Sequence, residues 1–324
     1  MRRIDIDLLR TVAIISVVIC HTFEIPFAAV GVQIFFVVSG FLLSDFINSY
    51  SKLNFLIHRL FRLFPLAIGM CLIFYFRFTD LKWFVLNIFL LHSLFPNNES
   101  FPGGWSISYE WLFSLVIATG ILYYSRLLYL LGFISIICIF LISASDSGFI
   151  KLSFANTDLN PSVLFLANLY FFILGFVLSQ VQIKKYKFNL CFLLILSIAV
   201  SLSIVNLKYI SWFLMVSVLS ILIINNKKVI AFLEASHLKA TLHLFGKYTY
   251  GIFCGHFIIL ISFSNFKIQG QELRVFLYNT SGFVGEFFYF IFVLGFSVLI
   301  GSLSYRFVEK PALKIPRLLR KYEN

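Results

Sequence analysis

Charge is what this 324-residue chain has least of: Asp, Glu, Lys and Arg make up only 12% of it, while 60% is hydrophobic and 19% aromatic. No polar run is long enough for a separate soluble domain, and apolar runs close to the length of a membrane helix, about sixteen to twenty residues, recur from end to end. That excludes a soluble globular protein and leaves a polytopic membrane protein. Cysteine is scarce and dispersed. Cys20, Cys71, Cys138, Cys191 and Cys254 all lie in apolar segments, without CxxC spacing or clustered histidines, so neither a disulfide framework nor a zinc site is indicated. They read as small buried hydrophobes. No small-residue cleavage site follows the first apolar segment, and its Asp and Arg are foreign to a signal-peptide core, so it is a permanent span. A phosphate-binding Gly loop, a GxSxG elbow, internal repeats and low-complexity tracts are absent as well. Acidic residues number 14 against 26 Lys and Arg, a net charge of +12. The basic residues cluster between apolar segments, a pattern that orients a chain in a bilayer and argues against nucleic-acid binding.

The apolar segments run over 6–24, 30–47, 63–76, 82–95, 105–124, 127–144, 162–181, 188–206, 209–225, 248–264 and 283–305. The pair 63–76 and 82–95 falls short of the roughly twenty residues a spanning helix needs. If that pair supplies one crossing, both termini are cytoplasmic, and Lys184, Lys185, Lys187, Lys227, Lys228 and the basic tail after Arg306 all lie inside. Counting both as crossings removes the bias. The expected fold is therefore all-α: one integral-membrane domain over 1–324 with about ten transmembrane helices and one re-entrant or interfacial helix near 82–95. Irregular backbone at membrane depth survives only where protein or a water-filled cavity satisfies it, which predicts a cavity near 78–104.

Against this apolar background the polar residues stand out. Arg10 and His21 are eleven residues apart in the first span, so at roughly 100° per residue they share a face, with Asp7 close to the same stripe. An ionised Arg inside a span is costly and turns toward the bundle interior. Arg59 and Arg62, expected in a cytoplasmic loop over 49–62, share a face at i, i+3. They suit either phosphates or lipid headgroups and orientation. In Phe101-Pro-Gly-Gly-Trp105-Ser106-Ile-Ser108-Tyr-Glu110, Pro102 and the two glycines break the backbone, Ser106 or Ser108 is a candidate helix cap, and Glu110 is either a site group or a partner for a basic residue. His256, inside a late span, suits a site role or a hydrogen bond to nearby backbone.

These residues also carry a resemblance. The chain resembles the integral-membrane acyltransferase-3 family through Arg10 to His21, Gly31-Val-Gln-Ile-Phe-Phe-Val-Val-Ser39-Gly40-Phe-Leu, Arg59 with Arg62, Trp105-Ser-Ile-Ser-Tyr-Glu110, Tyr250 to His256, and Tyr305-Arg-Phe-Val-Glu309-Lys-Pro311. It departs where many relatives have a second acid after the first, having Trp111 there instead, and it ends at Asn324, too soon for the C-terminal hydrolase-like domain of some relatives. The resemblance implies a ten-helix fold in the bacterial inner membrane. It also implies transfer of an acyl group, commonly acetyl from cytoplasmic acetyl-CoA, onto a sugar hydroxyl of an O-antigen, capsule or similar glycan. No permanently bound cofactor or metal is expected; the partners are the acyl-CoA donor, a glycan or lipid-linked sugar acceptor and membrane lipids.

In that chemistry His21 is the expected base with Glu24 as its orienter, and Arg59 and Arg62 are the CoA phosphate contacts. Arg10 would hold the pantetheine or stabilise charge, and Glu110 would take a polar part in catalysis. Asp7, Glu24, Trp105, Ser106 and His256 are expected to line the substrate cavity. The alternative from another class is a transporter or flippase for lipid-linked sugars or acyl groups, but the polar motifs show none of the two-half symmetry common in transporters.

Overall fold

The computed structural model describes residues 3–25, 30–49, 51–75, 80–95, 100–119, 125–146, 161–180, 208–224, 226–264, 267–268 and 271–316. Several of its helices follow the apolar segments closely. They are α1 (Ile4–Phe23), α2 (Val30–Ser49), α3 (Lys52–Ile73), α4 (Leu81–Ile88), α5 (Gly104–Ala118), α6 (Ser125–Asp146), α7 (Pro161–Gln180), α8 (Lys208–Ile223), α9 (Lys227–Ala235), α10 (Lys239–Ser264), α11 (Leu273–Ser281) and α12 (Phe283–Ser304). The single sheet among the described residues pairs Lys267–Ile268 antiparallel with Gln271–Glu272. Four described helices are long and apolar enough to cross a bilayer: Ile4–Phe23, Lys52–Ile73, Lys239–Ser264 and the continuous run Phe283–Pro316. The expected segment 188–206, Lys184, Lys185, Lys187 and the chain end after 316 lie outside the described residues.

α1 is the axis of the bundle, packing against α2 on one side and against α10 and α12 on another. α2 packs in turn on α7, and α7 on α6; α3 packs on α5. A helix surrounded in this way can bury polar residues, and α1 does so with Asp5, Asp7 and Thr11. The Thr11 hydroxyl satisfies itself by donating to the Asp7 carbonyl at 2.7 Å.

Two expectations change at α3 to α5. The presumed loop 49–62 and the short segment 63–76 are one 22-residue helix, α3, capped by Ser51, whose hydroxyl accepts from the Asn54 N–H. Arg59 and Arg62 are therefore helix residues. The partner segment supplies only the eight-residue α4, too short to cross, then a 3-10 turn over His92–Leu94. Among the described residues, two side chains satisfy backbone groups of this stretch. The Asn87 side chain accepts from the Phe101 N–H at 3.3 Å, and the Ser108 hydroxyl donates to the Leu90 carbonyl at 2.7 Å. Neither candidate serine caps α5. The helix begins after Gly103, whose φ of +75° is left-handed, and Ser106 donates back to the Gly103 carbonyl at 2.9 Å. At the other end of the chain, α12 runs into a π-turn over Tyr305–Glu309, within which the Ser304 hydroxyl donates to the Glu309 carboxylate at 3.2 Å.

The α2–α7 seam is the tightest in the bundle because glycines let the two backbones touch. A Cβ on Gly40 would be driven into the Phe172 carbonyl, and one on Gly175 into the Val37 carbonyl. Gly40→Ala and Gly175→Ala are each expected to destabilise the protein by about 1–3 kcal/mol through overpacking. Gly132→Ala and Gly295→Ala, where a Cβ meets no described atom within 4 Å, are the controls. Thermal unfolding of the detergent-solubilised variants checks this: the first pair should melt earlier and the controls should not.

Candidate active site

Between α1, α2, α3, α5 and α10 lies a cavity of about 380 Å³. Arg10, Arg62, His58, Lys247, Ser106 and Glu110 supply polar groups to its walls, and Tyr250, Tyr305 and Glu309 close it from α10 and the π-turn. Its cations sit on different elements, so their convergence is a product of packing. Arg10 reaches across to α10, where its guanidinium donates to the Gly246 carbonyl at 3.4 Å. Lys247 follows directly in the chain and lies over two tyrosine rings, 4.7 Å from the centre of Tyr305 and 5.0 Å from that of Tyr248. Arg62 forms no hydrogen bond to any described residue, leaving its donors to the cavity.

Behind this wall is a buried polar knot. The Arg59 guanidinium donates to Glu110 at 2.5 Å and through Nε to the Ser114 hydroxyl at 3.1 Å, while Ser39 donates to the same Glu110 oxygen at 2.7 Å. Ser114 in turn donates to the Glu110 carbonyl at 2.7 Å. Arg59 is only 3% exposed and does not line the cavity. The expected pair of phosphate contacts is thus divided: Arg62 faces the cavity and Arg59 is consumed by Glu110. The reason is that a buried guanidinium needs a carboxylate, and Glu110 is the one within reach.

A second cavity of about 200 Å³ lies at the C-terminal end of α1 and holds His21. His21 forms no hydrogen bond to any described residue; its ring is 5.5 Å from that of His256 and 5.0 Å from that of Phe257. His256 is fully buried between the cavities, its nitrogens without a well-formed hydrogen bond, although carbonyls of Ile252 and Phe253 interact with it. Its ring meets Phe257 at 4.0 Å and Phe253 at 5.6 Å. Phe253 belongs to the wall of the large cavity and Phe257 to that of the small one, so these aromatic rings form the partition between them.

The remaining expected residues fall as follows. Glu24 does not orient His21. It is the left-handed C-cap of α1, φ 53°, which turns it off the helical stripe to pair with Arg274. Asp7 is buried against His243 of α10, carboxylate to Nδ1 2.7 Å, and does not line the large cavity. Trp105 is partly exposed and packs edge-on against Phe36 and Tyr109, while its neighbour Ser106 lines the cavity. Ser39, Lys247 and Arg274 were not singled out from the sequence. Lys247 fell just outside the segment taken as 248–264, and helical spacing from Lys239 would have placed it on α10. Among the described residues no group of three His, Cys, Asp or Glu side chains gathers. Cys20, Cys71, Cys138 and Cys254 are free thiols.

Breaking a buried pair by removing one partner costs about 3–5 kcal/mol because it strands a charge. Glu110→Gln or Arg59→Gln alone should therefore lower the yield of folded protein and its melting temperature. The double replacement Arg59→Gln with Glu110→Gln should recover much of the loss. Arg62→Gln should melt like the wild type, which size-exclusion and thermal-shift measurements in detergent will show.

Searches of curated proteins and of solved structures return no significant match. The family model for acyltransferase-3, described as an acyltransferase domain, matches residues 3–305. With nearly the whole chain matched, and with apolar helices that carry Arg10, Glu110 and His256 inside the bundle, the protein is a membrane acyltransferase of the acyltransferase-3 family.

Proposed function

We propose that this protein is an O-acyltransferase of the bacterial cytoplasmic membrane, with both termini inside, that moves acetyl from cytoplasmic acetyl-CoA to a sugar hydroxyl of a surface or lipid-linked glycan. Ten spans belong to the same proposal. The observation that carries it is the arrangement of two cavities along one helix, α1. Arg10 stands in a cationic cavity near one end and His21 in a second cavity at the other, and the rings of Phe253, His256 and Phe257 connect the two walls.

The large cavity has the chemistry of an anion site. Arg62, Lys247 and Arg10 converge from three helices, and guanidinium groups suit CoA phosphates through paired donors. Arg59 supports this wall from behind without touching the donor. The pantetheine arm extends the thioester from this site toward the partition. His21, as a neutral imidazole, takes the proton from the acceptor hydroxyl; the oxygen attacks the thioester carbonyl carbon, the C–S bond breaks, and the proton passes to the departing CoA sulfur. An apolar surround keeps bulk water from the thioester and strengthens every charge interaction within it.

A positioned base contributes about 10²–10⁴ in rate. His21→Ala and His21→Gln should therefore both lose acyl transfer by that factor at normal protein level and with unchanged acetyl-CoA binding. A glutamine variant with substantial activity would sink the base assignment. Arg62→Gln and Lys247→Gln should instead raise the acetyl-CoA concentration required by about tenfold each, the loss expected for one charge-assisted hydrogen bond. Incorporation of labelled acetyl into the glycan fraction of membranes reads both effects, and its complete absence from wild-type membranes would refute an acetyl donor.

A further inference from the structure

His21 is one residue of the smaller cavity, and most of the wall comes from elsewhere. Phe257, Leu260 and Phe263 of α10 give it an apolar side, and Glu272, Arg274 of α11 and Tyr289 of α12 a polar one. At about 200 Å³ it is smaller than the sites that hold drug-sized ligands, so it admits one small ring and not a polymer.

Tyr289 is only 5% exposed, lines the cavity, and forms no hydrogen bond to any described residue. Buried phenols normally find a partner, so this hydroxyl is left for something that enters. Glu272 is exposed, and its carboxylate also forms no hydrogen bond to a described residue. Arg274 is already engaged: it donates to Glu286 of α12 at 3.1 Å and pairs with Glu24 at the end of α1, clasping three helices together. The described side-chain charges at this end are thus three carboxylates, Glu24, Glu272 and Glu286, against Arg274, while the Lys267 backbone stands opposite Glu272 in the strand pair. The balance is acidic, and the one guanidinium in the wall is spoken for.

We propose that this cavity is the acceptor subsite, that it takes a single neutral polyhydroxylated ring, and that Tyr289 and Glu272 select it. The inference rests on the acyltransferase reading with His21 as base. A pyranose has an apolar face that Phe257 and Phe263 can cover and a rim of hydroxyls. A carboxylate accepts from neighbouring hydroxyls, and the Tyr289 phenol both donates and accepts. A ring so held has a hydroxyl in the same cavity as His21. A uronate or a phosphorylated sugar would bring its negative charge against Glu272, whose carboxylate no described side chain pairs, a like-charge encounter that costs affinity. Arg274 is a positioning residue here.

The test is competition in right-side-out membrane vesicles loaded with labelled acetyl-CoA, with transfer to the native glycan as the signal. Methyl hexosides added outside should inhibit at concentrations at least about tenfold below the matching methyl hexuronides, the scale of one charge interaction. Glu272→Gln should bring the two series within about twofold of each other, and Tyr289→Phe should weaken the neutral series by about tenfold, a single buried hydrogen bond to a charged or strongly polar partner. Both variants should keep wild-type acetyl-CoA dependence and thermal stability. Equal inhibition by hexosides and hexuronides in the wild type, or an unchanged pattern in both variants, would overturn the subsite while leaving acyl transfer intact. Failure of the wild type to label any glycan would overturn the acyltransferase reading, and this inference with it.

Discussion

The ion pair between Arg59 and Glu110 is the interaction on which the rest of the cavity depends. It joins α3 to α5, and through Ser39 it joins both to α2. In a medium of low polarity two such charges cannot be separated without leaving one of them desolvated and unpaired, so the three helices are obliged to meet at this point. The cavity's other contributors from these helices, Arg62 on α3 and Ser106 on α5, stand within a turn or two of the knot. Their positions are inherited from it. A second pairing, of Asp7 with His243, does the same for α1 and α10, and sets Arg10 against Gly246. Charges at membrane depth therefore have a double use here: some are consumed in holding the walls together, and others are left to face the space those walls enclose.

Separation is the other organising constraint. In the proposed reaction a thioester and a hydroxyl approach from two cavities and meet at the junction between them. That junction is made of Phe253, His256 and Phe257, consecutive along one face of α10, with His21 against them from α1. The left-handed turn before α5 presses on it from the far side, since a Cβ at Gly103 would strike Phe253 and Phe257. The irregular stretch between α4 and α5 thus acts as a buttress, with two of its backbone groups held by the Asn87 and Ser108 side chains.

Much of this was legible in the sequence because apolar segments in a membrane protein are long and uninterrupted. The bounds of α1, α6, α7 and α12 differ from the apolar segments by only a residue or two, and the spacing of Arg10 and His21 marked the helix on which both cavities depend. The family followed from six motifs in order, and the match over 3–305 agrees with it. What was not legible depends on long-range pairing. Nothing in the spacing of Arg59 and Arg62 says that one will be taken by a carboxylate 51 positions on while the other stays available. Glu24 was misplaced for a local reason: helical periodicity was extended one residue past the end of the helix, where the backbone has already turned left-handed. Lys247 was passed over because the apolar segment was begun one residue after it, whereas the helix begins at Lys239.

The π-turn over Tyr305–Glu309 inserts an extra residue into the helix, and Tyr305, Glu309 and Leu313 all present to the large cavity. Removing any single residue from it would restore ordinary α geometry and rotate everything downstream by roughly 100° about the helix axis. Leu313 would then leave the wall, and the Ser304–Glu309 bond would lose its register. An insertion or deletion along 305–309 would therefore displace the part of the cavity wall that Tyr305, Glu309 and Leu313 supply.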